Sequence, residues 1–219
     1  MNREEVRSRI EEVGILPAIR AASAETAEFA AVAVGHAGIP LAEITVTVPQ
    51  AETVIAKLRR SEPDMVVGAG TILDLETARR CLDAGAEFLT SPGFVPEVVE
   101  FARKQNVAVL PGALTPSEII EAWKAGADLV KVFPCAQVGG PSYVRALRAP
   151  FPDIPLIASG GVNQRTALDF ILAGATALGI GGQLLPAESV ARRQEDRIRE
   201  LARRFLKMVS EGRSQRARR

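Results

Sequence analysis

The sequence predicts one closed (β/α)8 TIM barrel, an α/β fold, with an additional helix before its first strand. Three observations carry this expectation. Ala-Gly pairs recur at Ala37-Gly38, Ala84-Gly85, Ala125-Gly126 and Ala173-Gly174, each ending a helical stretch and each followed closely by a β-rich run. Glycine there supplies the left-handed residue that closes a helix. Two strand-plus-helix units lie between successive pairs, which makes eight strands in 219 residues. Strict alternation of strand and helix argues a parallel sheet. Eight such units argue closure, in a chain somewhat shorter than the ~250 residues usual for this barrel.

Taken in order, a charged amphipathic helix spans Arg3–Val13. Strands are expected near Ile15–Arg20, Glu43–Thr47, Met65–Ala69, Phe88–Thr90, Ala108–Pro111, Leu129–Phe133, Leu156–Ala158 and Ala177–Ile180. Thr115-Pro116-Ser117-Glu118 reads as a capping box with proline at the first helical position. Asp74 caps a helix over 75–84 and Asn163 one over 164–173. A long last helix is expected from about Ala187 to Val209. No linker divides residues 1–209, so they read as one domain. Residues 210–219 are basic, lack apolar periodicity and read as a frayed, solvated tail.

Composition excludes several classes. With 47% hydrophobic and 24% charged residues the chain is neither disordered nor collagen-like. Its net charge of +1 argues against a polycation built for nucleic acid. The charge is uneven: residues 191–219 hold 11 Lys/Arg against 4 Asp/Glu, while the other 190 hold 16 against 22. Two cysteines, Cys81 and Cys135, make no disulfide framework and suit a reduced, cytoplasmic chain. One histidine is too few for a His-rich metal site. That residue, His36, falls at a predicted helix end, where histidine is ordinary near the helix dipole. The N-terminus lacks the apolar stretch of a signal peptide. No run approaches the roughly 18 apolar residues of a membrane span.

Polar residues on strands that should be buried are the informative ones, because catalytic residues of such barrels sit at the C-terminal ends of strands. In Glu43-Ile44-Thr45-Val46-Thr47-Val48, alternation separates the apolar set from Glu43, Thr45 and Thr47. The polar set then faces the barrel interior, where a carboxylate needs a partner. Of five lysines, Lys57, Lys104, Lys124 and Lys207 fall on predicted helices; Lys131 alone sits mid-strand, in Leu129-Val130-Lys131-Val132-Phe133. The second and sixth strands face each other across an eight-stranded barrel, so Glu43 and Lys131 can converge. They read either as a structural ion pair or as an amine nucleophile with a proton shuttle. Apolar burial favours the neutral amine, which attacks a carbonyl to form a Schiff base. A neighbouring carboxylate can then move the protons that C–C cleavage requires.

Ser159-Gly160-Gly161-Val162 follows the seventh strand and Gly179-Ile180-Gly181-Gly182 forms the end of the eighth. Loops at these two places often bind phosphate through backbone N–H groups.

Glu43-Ile44-Thr45, Gly68-Ala69-Gly70-Thr71, Ser91-Pro92-Gly93, Pro111-Gly112, Lys131-Val132-Phe133-Pro134, Gly139-Gly140-Pro141 and Ser159-Gly160-Gly161-Val162 occur together and in order. In these motifs, over roughly residues 5–205, the chain resembles the class I KDPG/KHG aldolases. Those enzymes cleave 2-keto-3-deoxy-6-phosphogluconate or 4-hydroxy-2-oxoglutarate to pyruvate and an aldehyde. The resemblance implies Lys131 as the Schiff-base lysine and Glu43 as the acid/base. It implies Thr71 as a holder of the pyruvate carboxylate, Pro92 and Phe133 as apolar walls, and Ser159, Gly160, Gly161, Gly181 and Gly182 as phosphate loops. It also implies a homotrimer needing no metal or other cofactor.

Two positions depart from the pattern. Many members carry an arginine four residues after the glutamate, where this chain has Thr47. Arg20, at the end of the first strand, is the neighbouring cation that could bind the carboxylate beside Thr47. A small residue often follows the last glycine pair, where this chain has Gln183. The residues alone leave two other classes open: a phosphate-sugar isomerase or epimerase on the same barrel, and a noncatalytic metabolite-binding barrel. Neither has a need for Lys131.

Overall fold

The computed structural model describes residues 1–218, and Arg219 lies outside the described residues. Helix α1 (Arg3–Val13) precedes β1 (Ile15–Ile19). There follow α2 (Ala24–His36), β2 (Leu41–Thr45), α3 (Ala51–Ser61), β3 (Val66–Gly70), α4 (Leu75–Asp83), β4 (Phe88–Thr90) and α5 (Pro96–Lys104). The second half holds β5 (Ala108–Leu110), β6 (Gly112–Ala113), α6 (Pro116–Ala125), β7 (Val130–Val132), α7 (Pro141–Arg148), β8 (Leu156–Ser159), α8 (Ala167–Leu172) and β9 (Ala177–Ile180). Two helices, α9 (Ala187–Ala191) and α10 (Glu195–Ala217), end the described chain.

Every strand pairing is parallel, in the order β5-β4-β3-β2-β1-β9-β8-β7-β6. The two ends of that order, β5 and β6, are separated in the chain by Pro111 alone. Nine segments therefore make the eight strands the sequence predicts, the fifth being split. Proline has no N–H for the ladder, and at this point the strand changes partner from β4 to β7. The result is a TIM-like barrel. Strands β2 to β7 are buried at every position, as expected of a parallel sheet covered on both faces.

The glycines of all four Ala-Gly pairs are left-handed, with φ of 94° to 106°, and they end helices as the sequence predicts. Thr115 and Glu118 form the predicted capping box, and the Asp74 side chain accepts the Thr77 N–H. Asn163 does not start its helix directly: it accepts the Arg165 N–H in a turn, and α8 begins only at Ala167.

The N-terminal helix closes the lower end of the barrel. Val6 and Ile10 are fully buried there, and Arg3 reaches the carboxylate of Asp128 and the carbonyl of Gly126. Asp128, in turn, accepts the N–H of Val109 at the start of β5. Glu87 does the same on the other side, accepting Val67 N–H and pairing with Arg59 and the terminal amine of Met1.

The C-terminus differs from expectation twice. The long last helix is broken between α9 and α10, where Arg193 takes a positive φ of 51°. Residues 210–217 continue α10 as helix and do not fray. Several contacts hold them, among them a hydrogen bond from Arg216 to the Ile171 carbonyl. Gly212 is buried against Ile171, and Arg213 donates to the carbonyls of Glu11, Glu12 and Thr176. The guanidinium thus caps the carbonyl end of α1. Polar sequence hid this because the contact is made by one long cation rather than by an apolar stripe. Arg213→Ala should lower the free energy of unfolding by about 1.5–3 kcal/mol, the usual worth of hydrogen bonds to a charged group. Urea denaturation measures it, and an unchanged midpoint would restore the frayed tail.

Candidate active site

Strands β2 and β7 lie on opposite sides of the barrel, and each carries one ionisable side chain inward. The Lys131 Nζ donates to Glu43 Oε1 at 3.2 Å and Oε2 at 3.4 Å. It also donates to Thr90 Oγ1, on β4, at 3.0 Å. Glu43 and Thr90 are each 1% exposed and Lys131 7%, so the cluster is buried. The room for the carboxylate comes from Gly70, because a Cβ there would stand 2.2 Å from Glu43 Oε1. A buried pair of this kind is seldom net stabilising, since desolvation offsets the attraction.

Above the lysine lies a cavity of about 320 Å³. Its lining includes Arg20, Lys131, Phe133, Ser159, Gly160, Gly161, Gly181, Gly182 and Gln183. All nine of these residues, singled out in the sequence, are thereby brought together at the C-terminal ends of β1, β7, β8 and β9. Gly160 and Gly161 take φ of 84° and 90°, and a Cβ on Gly160 would stand 2.8 Å from the Cα of Pro134. Left-handed backbone and close approach both require glycine there. Ser159 is buried and Arg20 exposed at the rim.

Thr47, Thr71 and Pro92 do not line this cavity. The second strand starts and ends two residues earlier than predicted, at Leu41 and Thr45. Thr47 therefore sits in an exposed turn, where its hydroxyl shares a 2.7 Å hydrogen bond with that of Thr45. The Val48 N–H donates to the Thr45 carbonyl, closing a turn that takes Thr47 out of the ladder. Thr71 directly follows Gly70 and takes a φ of 65°. That conformation is strained for a β-branched residue and marks the end of β3 as a constrained place. Pro92 is half-buried in the loop after β4.

Sequence reasoning missed Thr90. The signal was available: it is a hydroxyl in the run Phe88-Leu89-Thr90, whose strand is otherwise apolar. The cysteines are not candidates. Burial pushes the Cys135 thiol up to about 11 and the Cys81 thiol up to about 12, so neither is a thiolate at neutral pH. His36 ends α2 and pairs with Glu195 on α10, outside the barrel. Among the described residues no three His, Cys, Asp or Glu side chains group as a metal site. A larger groove of about 740 Å³ lies on the opposite side, between α1 and α10, but it holds no strand-borne nucleophile.

The chain is similar to known proteins along most of its length. A family model described as KDPG and KHG aldolase matches residues 6–201. The 2-dehydro-3-deoxy-phosphogluconate aldolase of Treponema pallidum is 31% identical over 201 residues, covering 91% of this chain and 95% of that one. The enzyme of the same name from Pseudomonas aeruginosa is 35% identical over 182 residues, covering 83% and 82%. Among solved structures, KDPG aldolase from Legionella pneumophila, with pyruvate captured as a covalent carbinolamine, superposes with a TM-score of 0.83. It is 27% identical, over 90% of this chain and 95% of that one. The likeness runs along nearly the whole length of the chain, and the chain belongs to the KDPG and KHG aldolase family.

Proposed function

We propose that Lys131 is the Schiff-base nucleophile of this aldolase and Glu43 its proton shuttle. The substrate we propose is a 2-keto-3-deoxy sugar acid of the 6-phosphogluconate type, 4-hydroxy-2-oxoglutarate, or both. The observation that carries the reading is the contact of Lys131 Nζ with the Glu43 carboxylate, 3.2 Å away, at the floor of an open cavity.

The steps follow from that geometry. Lys131 gives one proton to Glu43, its freed amine adds to the C2 carbonyl carbon, and a proton passes from nitrogen to the carbonyl oxygen to give a carbinolamine. The hydroxyl then leaves as water with a second proton, giving an iminium that draws electrons from the C3–C4 bond. Glu43 accepts the proton of the C4 hydroxyl as that bond breaks, releasing the aldehyde and leaving an enamine. The same carboxyl returns a proton to C3, and water hydrolyses the iminium to free pyruvate and the amine. The iminium is the electron sink, so we propose a metal-independent lyase.

The keto acid also brings a carboxylate, and a buried charge needs a partner. We assign it to Arg20, which stands on the cavity rim where Thr47 does not. Thr71, directly after β3, and Pro92, in the loop after β4, are proposed as further substrate contacts at the C-terminal ends of those strands. Phe133 is an apolar wall, and Ser159 with the two glycine pairs forms the end that takes the phosphate. Gln183 stands beside that end, which supports acceptance of a polar but smaller distal group as well. We further propose a homotrimer in the cytoplasm, to which the two buried, free cysteines are suited.

Borohydride added with pyruvate should place a covalent adduct on the peptide containing Lys131, read by mass spectrometry. Lys131→Ala should give none while keeping its fold, and an adduct mainly on another lysine would overturn the assignment. Arg20→Ala should weaken pyruvate binding by about 1.5–3 kcal/mol, the worth of a charged hydrogen bond. Loss confined to phosphorylated substrates would move Arg20 to the phosphate end, and no change for either would return it to the surface.

A further inference from the structure

We propose that Thr90 holds the iminium N–H of the covalent intermediate and so releases Glu43 for proton transfer at carbon. The proposal rests on Lys131 being the nucleophile. It comes from counting hydrogens at Nζ. The ammonium has three N–H donors, and the structure gives it three acceptor atoms: both oxygens of Glu43 and the hydroxyl of Thr90. When Nζ becomes an iminium, two of those hydrogens are gone and one N–H remains. Among the protein groups around Nζ, Glu43 and Thr90 are the two acceptors, and they compete for the single charged donor.

Geometry favours the hydroxyl. Thr90 Oγ1 is the nearest of the three acceptors, at 3.0 Å against 3.2 and 3.4 Å for the carboxylate. Its strand fixes it: Thr90 pairs with Leu110, it is 1% exposed, and its β-branched side chain has few rotamers. With the N–H on Thr90, the carboxylate keeps both oxygens for the reacting carbon. In pyruvate alone the next step is simple. Glu43 takes a proton from the C3 methyl group, and the C–H electron pair becomes the C2–C3 double bond. The C=N pair moves onto nitrogen, leaving a neutral enamine and a protonated Glu43. In heavy water that carboxyl exchanges with solvent and returns deuterium to C3. Without the Thr90 hydroxyl the iminium N–H would fall to Glu43, and the carboxylate would be held at nitrogen.

Two readings on one sample separate imine formation from proton transfer: borohydride trapping on Lys131, and deuterium uptake into the methyl group of pyruvate. Thr90→Val keeps the shape of the side chain and removes the hydroxyl. It should trap pyruvate to the same extent as the unaltered enzyme. Its deuterium uptake should fall about ten- to a hundredfold, less than the about 10²–10⁴ expected for losing the general base itself. Thr90→Ser should restore the rate. Uptake by Thr90→Val within about twofold of the unaltered enzyme overturns the proposal, and so does an equal fall in trapping and uptake. An unaltered enzyme that exchanges deuterium but gives no adduct on Lys131 overturns the nucleophile assignment instead, and this proposal with it.

Discussion

The contact between Lys131 and Glu43 is the constraint around which the rest of the site is arranged. Two groups that would each be costly to bury alone are carried inward by strands on opposite sides of a closed barrel. Each demands something of its neighbours. Gly70 gives up its side chain so that the carboxylate fits, and Thr90 supplies the hydroxyl that completes the shell of the ammonium. The glycine turns after β8 and at the end of β9 line the cavity that opens onto the amine.

The lower end of the barrel shows the opposite use of buried charge. Glu87 and Asp128 are also buried, yet each accepts a backbone N–H of the neighbouring strand and pairs with a cation on the rim. Burial holds the Asp128 carboxyl above its usual range, against the pull of Val109 N–H and Arg3. These carboxylates tie helix α1 and the strand ends together. Location on the strands, rather than charge or burial, separates the proposed catalytic pair from the structural ones.

Much of this was legible in the sequence. The Ala-Gly rhythm marked the helix ends, and alternation on the sixth predicted strand placed Lys131 inward without help from any relative. What escaped the reading has specific causes. Period-two alternation shows which face a residue takes but not where a strand stops, so Thr47 was carried past the end of β2 into a turn. Pro111 splits a strand that hydrophobicity reads as continuous. The helical residues 210–217 are held by the Arg213 guanidinium on three carbonyls, a contact that leaves no periodic trace. Thr90 was passed over because a threonine on a strand is ordinary until the lysine opposite it is placed.

The central claim is that the pair is kept for chemistry and contributes little to stability. Urea unfolding of the double variant Glu43→Leu/Lys131→Met tests this directly. Replacing a buried pair by apolar residues of similar volume is commonly neutral or stabilising by about 1–4 kcal/mol. The account predicts an unfolding free energy at least equal to that of the unaltered protein. A double variant several kcal/mol less stable would show that the barrel needs the ion pair to fold, and would contradict it.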